Sequence, residues 1–269
     1  MSNNLLKGKR GIIFGALNDM SIAWKVAEIA HAEGARFVLS NVPVAMRLGA
    51  INELSERCNA PIISADATSV EDLQNLFDQA VEQLGGKIDF VLHSIGMSPN
   101  VRKGKHYTDL NYDWYQKTLD ISGGSLHKTL QVAMERDAIN EWGSVVALTY
   151  IAAQRIFPDY GDMADAKSLL ESITRGFGYH YGMKKKVRVN TISQSPTMTT
   201  AGSGVSGFDQ FMAYSEALSP LGNADAEACA KYCVMMFSDY TRYVTMQNLF
   251  HDGGYSSTGV TSAVMDKFV

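Results

Sequence analysis

Cysteine and proline are scarce in this chain, and each scarcity removes a class of answer. Three cysteines among 269 residues, Cys58, Cys229 and Cys233, form no C-x-x-C pair and leave an odd count. That pattern argues against a disulfide framework and points to a reducing, intracellular setting. Cys229 and Cys233 stand four apart, so a helix would put them on one face. Shared burial explains them better than a metal site, because no histidine or aspartate cluster accompanies them. Six prolines leave no Pro-rich linker. No run reaches the ~20 consecutive apolar residues of a membrane span, and MSNNLLKGKR is too short in apolar residues for a signal peptide. The expected location is cytoplasmic, without a membrane partner. Positive charge is also short: 24 Lys+Arg against 28 Asp+Glu gives a net charge of -4. Such a balance supplies no global basic field for nucleic acid. No repeat of 20–50 residues and no low-complexity segment stands out.

What is present is a globular composition, 46% hydrophobic and 19% charged, with 23 glycines for turns and close approaches. Apolar runs at 9–15, 35–40, 61–66, 87–96, 143–150, 186–193 and in TMQNLFHDGG (245–254) alternate with helix-sized segments at 21–32, 44–57, 69–84, 111–137, 158–181 and 224–237. Val/Ile-rich strands separated by helices predict an α/β fold. The expectation is a Rossmann-like, doubly wound, seven-stranded and mainly parallel sheet with helices on both faces. One domain spans 1–269, interrupted by 194–223, QSPTMTTAGSGVSGFDQFMAYSEALSPLGN. That stretch mixes flexible Ser, Thr and Gly with Phe208, Phe211, Met212 and Tyr214. A substrate cover needs this mix, and an ordinary surface excursion with one short helix is the alternative.

Gly15 falls where the first strand ends, and Ser21-Ile22-Ala23 opens the next helix. Backbone N–H groups there can receive a phosphate, and a glycine permits close approach. GALNDMSIA lacks G-x-G-x-x-G, so a dinucleotide site and a plain strand-to-helix turn both remain open. Asp66-Ala67 follows the third run, where a carboxylate and an amide can read an adenine edge. Ser94-Ile95-Gly96 follows the fourth. Ligands of doubly wound sheets gather outside these carboxyl ends. Ser40-Asn41-Val42-Pro43 offers neither a base for a 2'-phosphate nor an acid for a free ribose. The missing base favours NADH, with NADPH as the other candidate.

Tyr150, Tyr160 and Lys167 lie in YIAAQRIFPDYGDMADAK. Seven positions are about two helical turns, so Tyr160 and Lys167 can face one crevice. A tyrosine there can donate to a carbonyl oxygen that gains negative charge, and a lysine can support that charge. His93 precedes Ser94 and fits packing at least as well as catalysis. His31, His106, His127, His180 and His251 show no ligand spacing, and no metal is expected. Lys184, Lys185 and Lys186 read as a solvated basic turn, with weak contact to an acidic carrier as the other option.

On GALNDMSIA, HSIGMSP, the Tyr150-x9-Tyr160-x6-Lys167 set, VRVNTIS and HDGG, spanning 8–254, the chain resembles the bacterial NADH-dependent enoyl-acyl-carrier-protein reductases. These are a divergent branch of the short-chain dehydrogenase/reductase superfamily. The resemblance implies reduction of the trans-2 double bond in fatty-acid elongation by a homotetramer. It implies cofactor contacts at Gly15, Ser21, Ile22, Asp66, Ala67, Ser94, Ile95 and Gly96, with Ile121 and Ile192 bordering the nicotinamide and Lys167 on its ribose. It also implies Tyr160 on the thioester oxygen and Tyr150 in the acyl pocket. Thr197, Met198, Ala201, Phe208 and Phe211 would belong to the substrate cover. Two departures stand out: Ser195-Pro196 replaces the usual Pro-Gly, and Val42 replaces a polar residue. The rival functions are a carbonyl reductase of the same superfamily, whose Tyr-x3-Lys spacing is absent because residue 164 is Ala, and a non-catalytic nucleotide-responsive interaction protein.

Overall fold

The computed structural model describes residues 2–48, 50–199 and 207–268. Its elements run β1 (Arg10–Phe14), α1 (Ile22–Ala32), β2 (Arg36–Ser40), α2 (Pro43–Leu48), α3 (Ile51–Cys58), α4 (Val70–Leu84), β3 (Ile88–His93) and α5 (Pro99–Arg102). They continue with α6 (Tyr112–Leu119), α7 (Ser125–Glu135), β4 (Ile139–Thr149), α8 (Gly161–Lys185), β5 (Arg188–Gln194), α9 (Phe208–Leu218), α10 (Ala226–Phe237), β6 (Asn248–His251) and α11 (Ser262–Met265). The strands form one sheet in the order β2-β1-β3-β4-β5-β6. Every pairing is parallel.

Parallel strands are apolar on both faces because helices cover both. Ile13, Leu39, Phe90, Leu92, Val146, Leu148 and Ile192 point into the layer under α1, α3 and α10. Their sequence neighbours Ile12, Val38, Val91, Val145 and Ala147, with Val189 of β5, point into the layer under α4, α7 and α8. Cys229 and Cys233 are buried in the first layer, as their shared face predicts. The hydrogen bond with the neighbouring Cys229 thiol, and then burial, push the Cys233 thiol well up. Local signals set the helix ends. The Ser69 hydroxyl accepts from Asp72 N at 3.2 Å and Asp225 accepts from Ala228 N at 2.7 Å, two ordinary N-caps.

The sheet has six strands where the apolar runs predict seven. Residues 61–66 do travel beside β2, with Leu39 N donating to Pro61 O and Ile63 N to Leu39 O. They contribute only an isolated bridge between Leu39 and Ile62. Pro61 has no N–H for a ladder. At the other end the chain turns away, because Asp66 Oδ1 accepts from Thr68 N at 2.9 Å and Asp66 N donates to Asp72 Oδ2 at 2.8 Å. The helix predicted over 111–137 is also divided: α6 and α7 are joined by one π-helical turn, Asp120–Gly124.

The chain passes from β1 to β2 on one side and returns to β3 on the other. Between the carboxyl ends of β1 and β3 lies the switch point where such sheets open a crevice. Among the described residues, no helix is long and apolar enough to cross a membrane.

Candidate active site

Gly15 closes β1 with φ +93°, and its N–H donates to Ser40 O at 3.0 Å. A Cβ on Gly15 would lie 2.0 Å from Ser94 O, so the loops after β1 and β3 meet only because that carbon is missing. Ser21 fixes the rest of the turn. Its hydroxyl accepts from Leu17 N and Asn18 N, each at 3.1 Å, and donates to Asn18 O at 2.7 Å. It makes no cap bond to α1, whose first turn also carries no acidic residue. Ile22 and the following amides thus form an uncapped helix start, which favours an anion. The bare backbone at Gly15 and this helix start together fit a dinucleotide pyrophosphate.

Asn41 uses both ends of its amide on backbone. Its Nδ2 donates to Ala16 O at 3.0 Å and its Oδ1 accepts from Val42 N at 2.9 Å. That clamp explains a residue at the end of β2 that is neither acid nor base. Asp66 holds its own turn, also accepting from Thr68 Oγ1 at 2.7 Å, and Ala67 is buried beside it.

The loop after β3 is held from the π-turn. Ser122 Oγ accepts from Met97 N at 2.9 Å and donates to Met97 O at 3.0 Å. Ser125 Oγ donates to Ile121 O at 2.6 Å and lies 2.8 Å from His93 Nε2. Since the serine proton is used on Ile121, the proton between Ser125 and His93 belongs to Nε2. Among the described residues the buried His93 Nδ1 has no partner. Burial, followed by the Lys167 charge, lowers His93 to about 3. A neutral, enclosed ring of this kind positions the loop and has no general acid–base role near neutrality. Ile121 lies on the π-turn itself, whereas Ile192 is fully buried among the core side chains of β5.

Lys167 enters from the second turn of α8. Its Nζ donates to Leu148 O at 2.8 Å and stands 3.7 Å from where a Cβ on Gly96 would be. Gly96 and Lys167 therefore meet. Burial lowers Lys167 to about 8, and the Glu171 carboxylate one turn on opposes the drop. Glu171 is itself fully engaged. It accepts from Thr149 Oγ1 at 3.0 Å, Asn248 Nδ2 at 3.1 Å and Gln154 Nε2 at 3.0 Å. Asp162, two residues past Tyr160, is wholly buried and accepts from Ser98 Oγ at 2.5 Å and Asn100 Nδ2 at 2.8 Å. It fastens the loop beyond Gly96 to the start of α8.

Tyr150 and Tyr160 meet with ring centroids 5.1 Å apart. Phe157 lies 5.4 Å from Tyr150, and Phe211 of α9 lies 5.1 Å from Phe157 and 6.1 Å from Tyr150. Tyr255 closes the ring at 6.3 Å from Phe157. Among the described residues the buried Tyr150 hydroxyl has no hydrogen-bond partner, and burial raises both tyrosines above their ordinary range, so each keeps its proton. Phe211 therefore joins this aromatic cluster. Phe208 opens α9 three positions earlier, and Met198 is exposed. Thr197 Oγ1 donates to Ser195 O at 2.9 Å and accepts from Gln194 Nε2 at 3.2 Å, so its hydroxyl serves the loop. Ala201 lies outside the described residues.

Four residues of this assembly escape a reading of spacing alone: Asp162, Glu171, Phe157 and Tyr255. Asp162, Ala166, Leu170 and Thr174 recur every fourth position on the buried side of α8, and Glu171 follows Lys167 by four. That stripe was the available signal, masked by the rule that charges face water.

Residues 15–256 match a family model described as enoyl-(acyl carrier protein) reductase. The enoyl-[acyl-carrier-protein] reductase [NADH] FabI of Rickettsia bellii (strain RML369-C) is 33% identical over 268 residues, 98% of this chain and 100% of the relative. Enoyl-[acyl-carrier-protein] reductase [NADH] 1 of Rhizobium meliloti (strain 1021) is 32% identical, covering 96% of this chain and 94% of its own. The crystal structure of the FabI–NADH complex from Alistipes finegoldii superposes with a TM-score of 0.97 at 62% identity, over 99% of this chain and 94% of that one.

Proposed function

The chain belongs to the enoyl-(acyl carrier protein) reductase family, and from that premise we propose that it uses NADH to reduce the trans-2 double bond of enoyl thioesters on acyl carrier protein, a step of fatty-acid biosynthesis. The observation that carries the reading is the meeting of two groups at one crevice: Lys167 against Gly96, and Tyr160 against Tyr150.

When bound, NADH supplies the hydride that reaches C3 of the enoyl group. Gly15, Ser21, Ile22, Asp66, Ala67, Ser94, Ile95, Gly96, Ile121 and Ile192 are the proposed holders of the cofactor, with Lys167 at its ribose. Tyr160 keeps its proton on Oη at neutral pH because burial raises its pKa. It can therefore donate a hydrogen bond to the thioester carbonyl oxygen, and that bond strengthens as the oxygen becomes enolate-like. Lys167, lowered only to about 8, still carries charge at pH 7 and favours the same oxygen. Tyr150, Phe157, Phe211 and Tyr255 exclude water around the acyl chain. As the carbonyl double bond re-forms, the enolate electrons at C2 take a proton from the Tyr160 hydroxyl or from a water relay.

The proposal treats 1–269 as one reductase domain, with 194–223 as the substrate-binding insertion. Thr197, Met198, Ala201, Phe208 and Phe211 are assigned to the cover. It extends to a cytoplasmic homotetramer, which the family resemblance supports and light scattering of the purified protein would test. The activity test is NADH oxidation with crotonyl and longer enoyl thioesters beside matched ketones. Enoyl-dependent turnover is expected. Turnover of ketones alone would assign a carbonyl reductase, and NADH binding without any turnover would leave a nucleotide-responsive binding protein.

A further inference from the structure

A carrier-borne substrate must be delivered to the mouth of the crevice, and the triple-lysine turn is in the wrong place for that. Lys184 and Lys185 end the helix that begins beside Tyr160, and Lys186 follows them. Twenty-five helical residues at 1.5 Å each put them roughly 37 Å from the reacting end. Lys185 is moreover paired with Asp137.

A second basic cluster lies at the correct end. The end of α5 and the turn after it read Arg102-Lys103-Gly104-Lys105-His106, and all five residues are exposed. Among the described residues neither Arg102 nor Lys103 has an ion-pair partner, whereas Lys105 reaches Asp109 at 3.3 Å. The cluster is presented rigidly. Lys103 N donates to Pro99 O at 3.0 Å, Gly104 N to Val101 O at 3.0 Å and Lys105 N to Asn100 O at 3.0 Å. Asn100 is clasped by the buried Asp162, and Val101 Cγ2 is 3.3 Å from where a Cβ on Gly161 would be. The cations thus ride on a turn bolted to the residues next to Tyr160. On the opposite bank, α9 and the described residues around it, 207–223, contain Asp209 and Glu216 and no lysine or arginine. In a chain of net charge -4, an acidic partner approaching this mouth meets attraction on one bank only.

We propose that Arg102 and Lys103, with Lys105 beside them, are the docking surface for an acidic acyl carrier protein. The inference rests on the reductase reading and names the partner surface of the same site. Exposed charges of this kind act through encounter rate and orientation, so they affect the carrier-bound substrate and leave the chemistry of the thioester alone.

The test compares two double charge reversals of equal size, Arg102→Glu/Lys103→Glu and Lys184→Glu/Lys186→Glu, in the full-length enzyme. Each is assayed with crotonyl carrier protein, crotonyl-CoA and the crotonyl thioester of N-acetylcysteamine. For the first pair, kcat/KM on the carrier substrate is expected to fall about 10-fold or more at low salt, with the loss entering KM. The N-acetylcysteamine thioester should be turned over unchanged, which also reports an intact fold and cofactor site. The second pair should leave all three substrates within about 2-fold. Equal losses in both pairs, or none in the first, would overturn the proposal. Loss on the small thioester would make the turn part of the pocket, and an equal loss on crotonyl-CoA would assign the cations to the phosphates of the arm. Wild-type enzyme that turns over none of the three substrates would overturn the reductase reading itself, and this inference with it.

Discussion

The two banks of the crevice are made of different material. On the β1–β3 bank the shape comes from backbone: Gly15 against the Ser94 carbonyl, Ser21 folded back on its own turn, Asn41 clamped to Ala16 O. On the α8–α9 bank it comes from side chains, five aromatic rings contributed by four segments of chain. Backbone has one way to make room, whereas a set of rings has many. The first bank suits a ligand of constant shape such as a dinucleotide. The second suits an acyl chain whose length varies.

This contrast can be broken at its stiffest point first. Gly15→Ala puts a methyl group 2.0 Å from Ser94 O at a backbone angle that side chains avoid. NADH affinity measured by fluorescence titration is expected to fall more than about 100-fold, with folding followed in parallel by circular dichroism. An unchanged affinity would show that the bank yields. Tyr160→Phe, at the boundary of the two banks, should lower kcat/KM about 100-fold while leaving NADH affinity within about 2-fold. The charge of Lys167 sets the next effect. Its pKa is lowered to about 8, so the cation is present below that value and lost above it. Turnover should decline up to about 10-fold per pH unit as pH rises through 8, and Lys167→Arg should flatten that limb at whatever rate it retains. The smallest effect is expected from the aromatic bank. Phe211→Ala removes one ring of five, and KM for long enoyl thioesters should rise about 3- to 10-fold, less for crotonyl substrates. A loss as large as that at Gly15 would mean that the rings form a rigid wall after all.

Strand and helix alternation is legible because both faces of a parallel sheet are covered, which leaves continuous apolar runs such as Ile12–Phe14 and Val145–Leu148. The seventh strand was overread at 61–66 because an apolar run says nothing about a missing N–H at Pro61. Tyr150, Tyr160, Lys167 and Gly96 stand out in the sequence because they follow strand ends, and the structure brings Tyr150 to Tyr160 and Lys167 to Gly96. The carboxylates of Asp162 and Glu171 were not, since burial of a charge depends on partners from distant segments, Ser98 and Asn100 for one, Asn248 for the other. Aromatic partners such as Tyr255 come from the far end of the chain, and their meeting with Phe157 has no local signature.

The π-turn at Asp120–Gly124 has a consequence for how the helix can change over generations. A π-turn holds one residue more than the α-helical repeat requires, and here that surplus lets Ser122 bind Met97 while Ser125, three positions later, binds His93. Deleting a single residue would let the helix close into an uninterrupted α-spiral. Everything on one side of the cut would then turn by about 100° relative to the other, parting one serine from its strand-end loop. The helix is thus intolerant of any change in its residue count across these five positions.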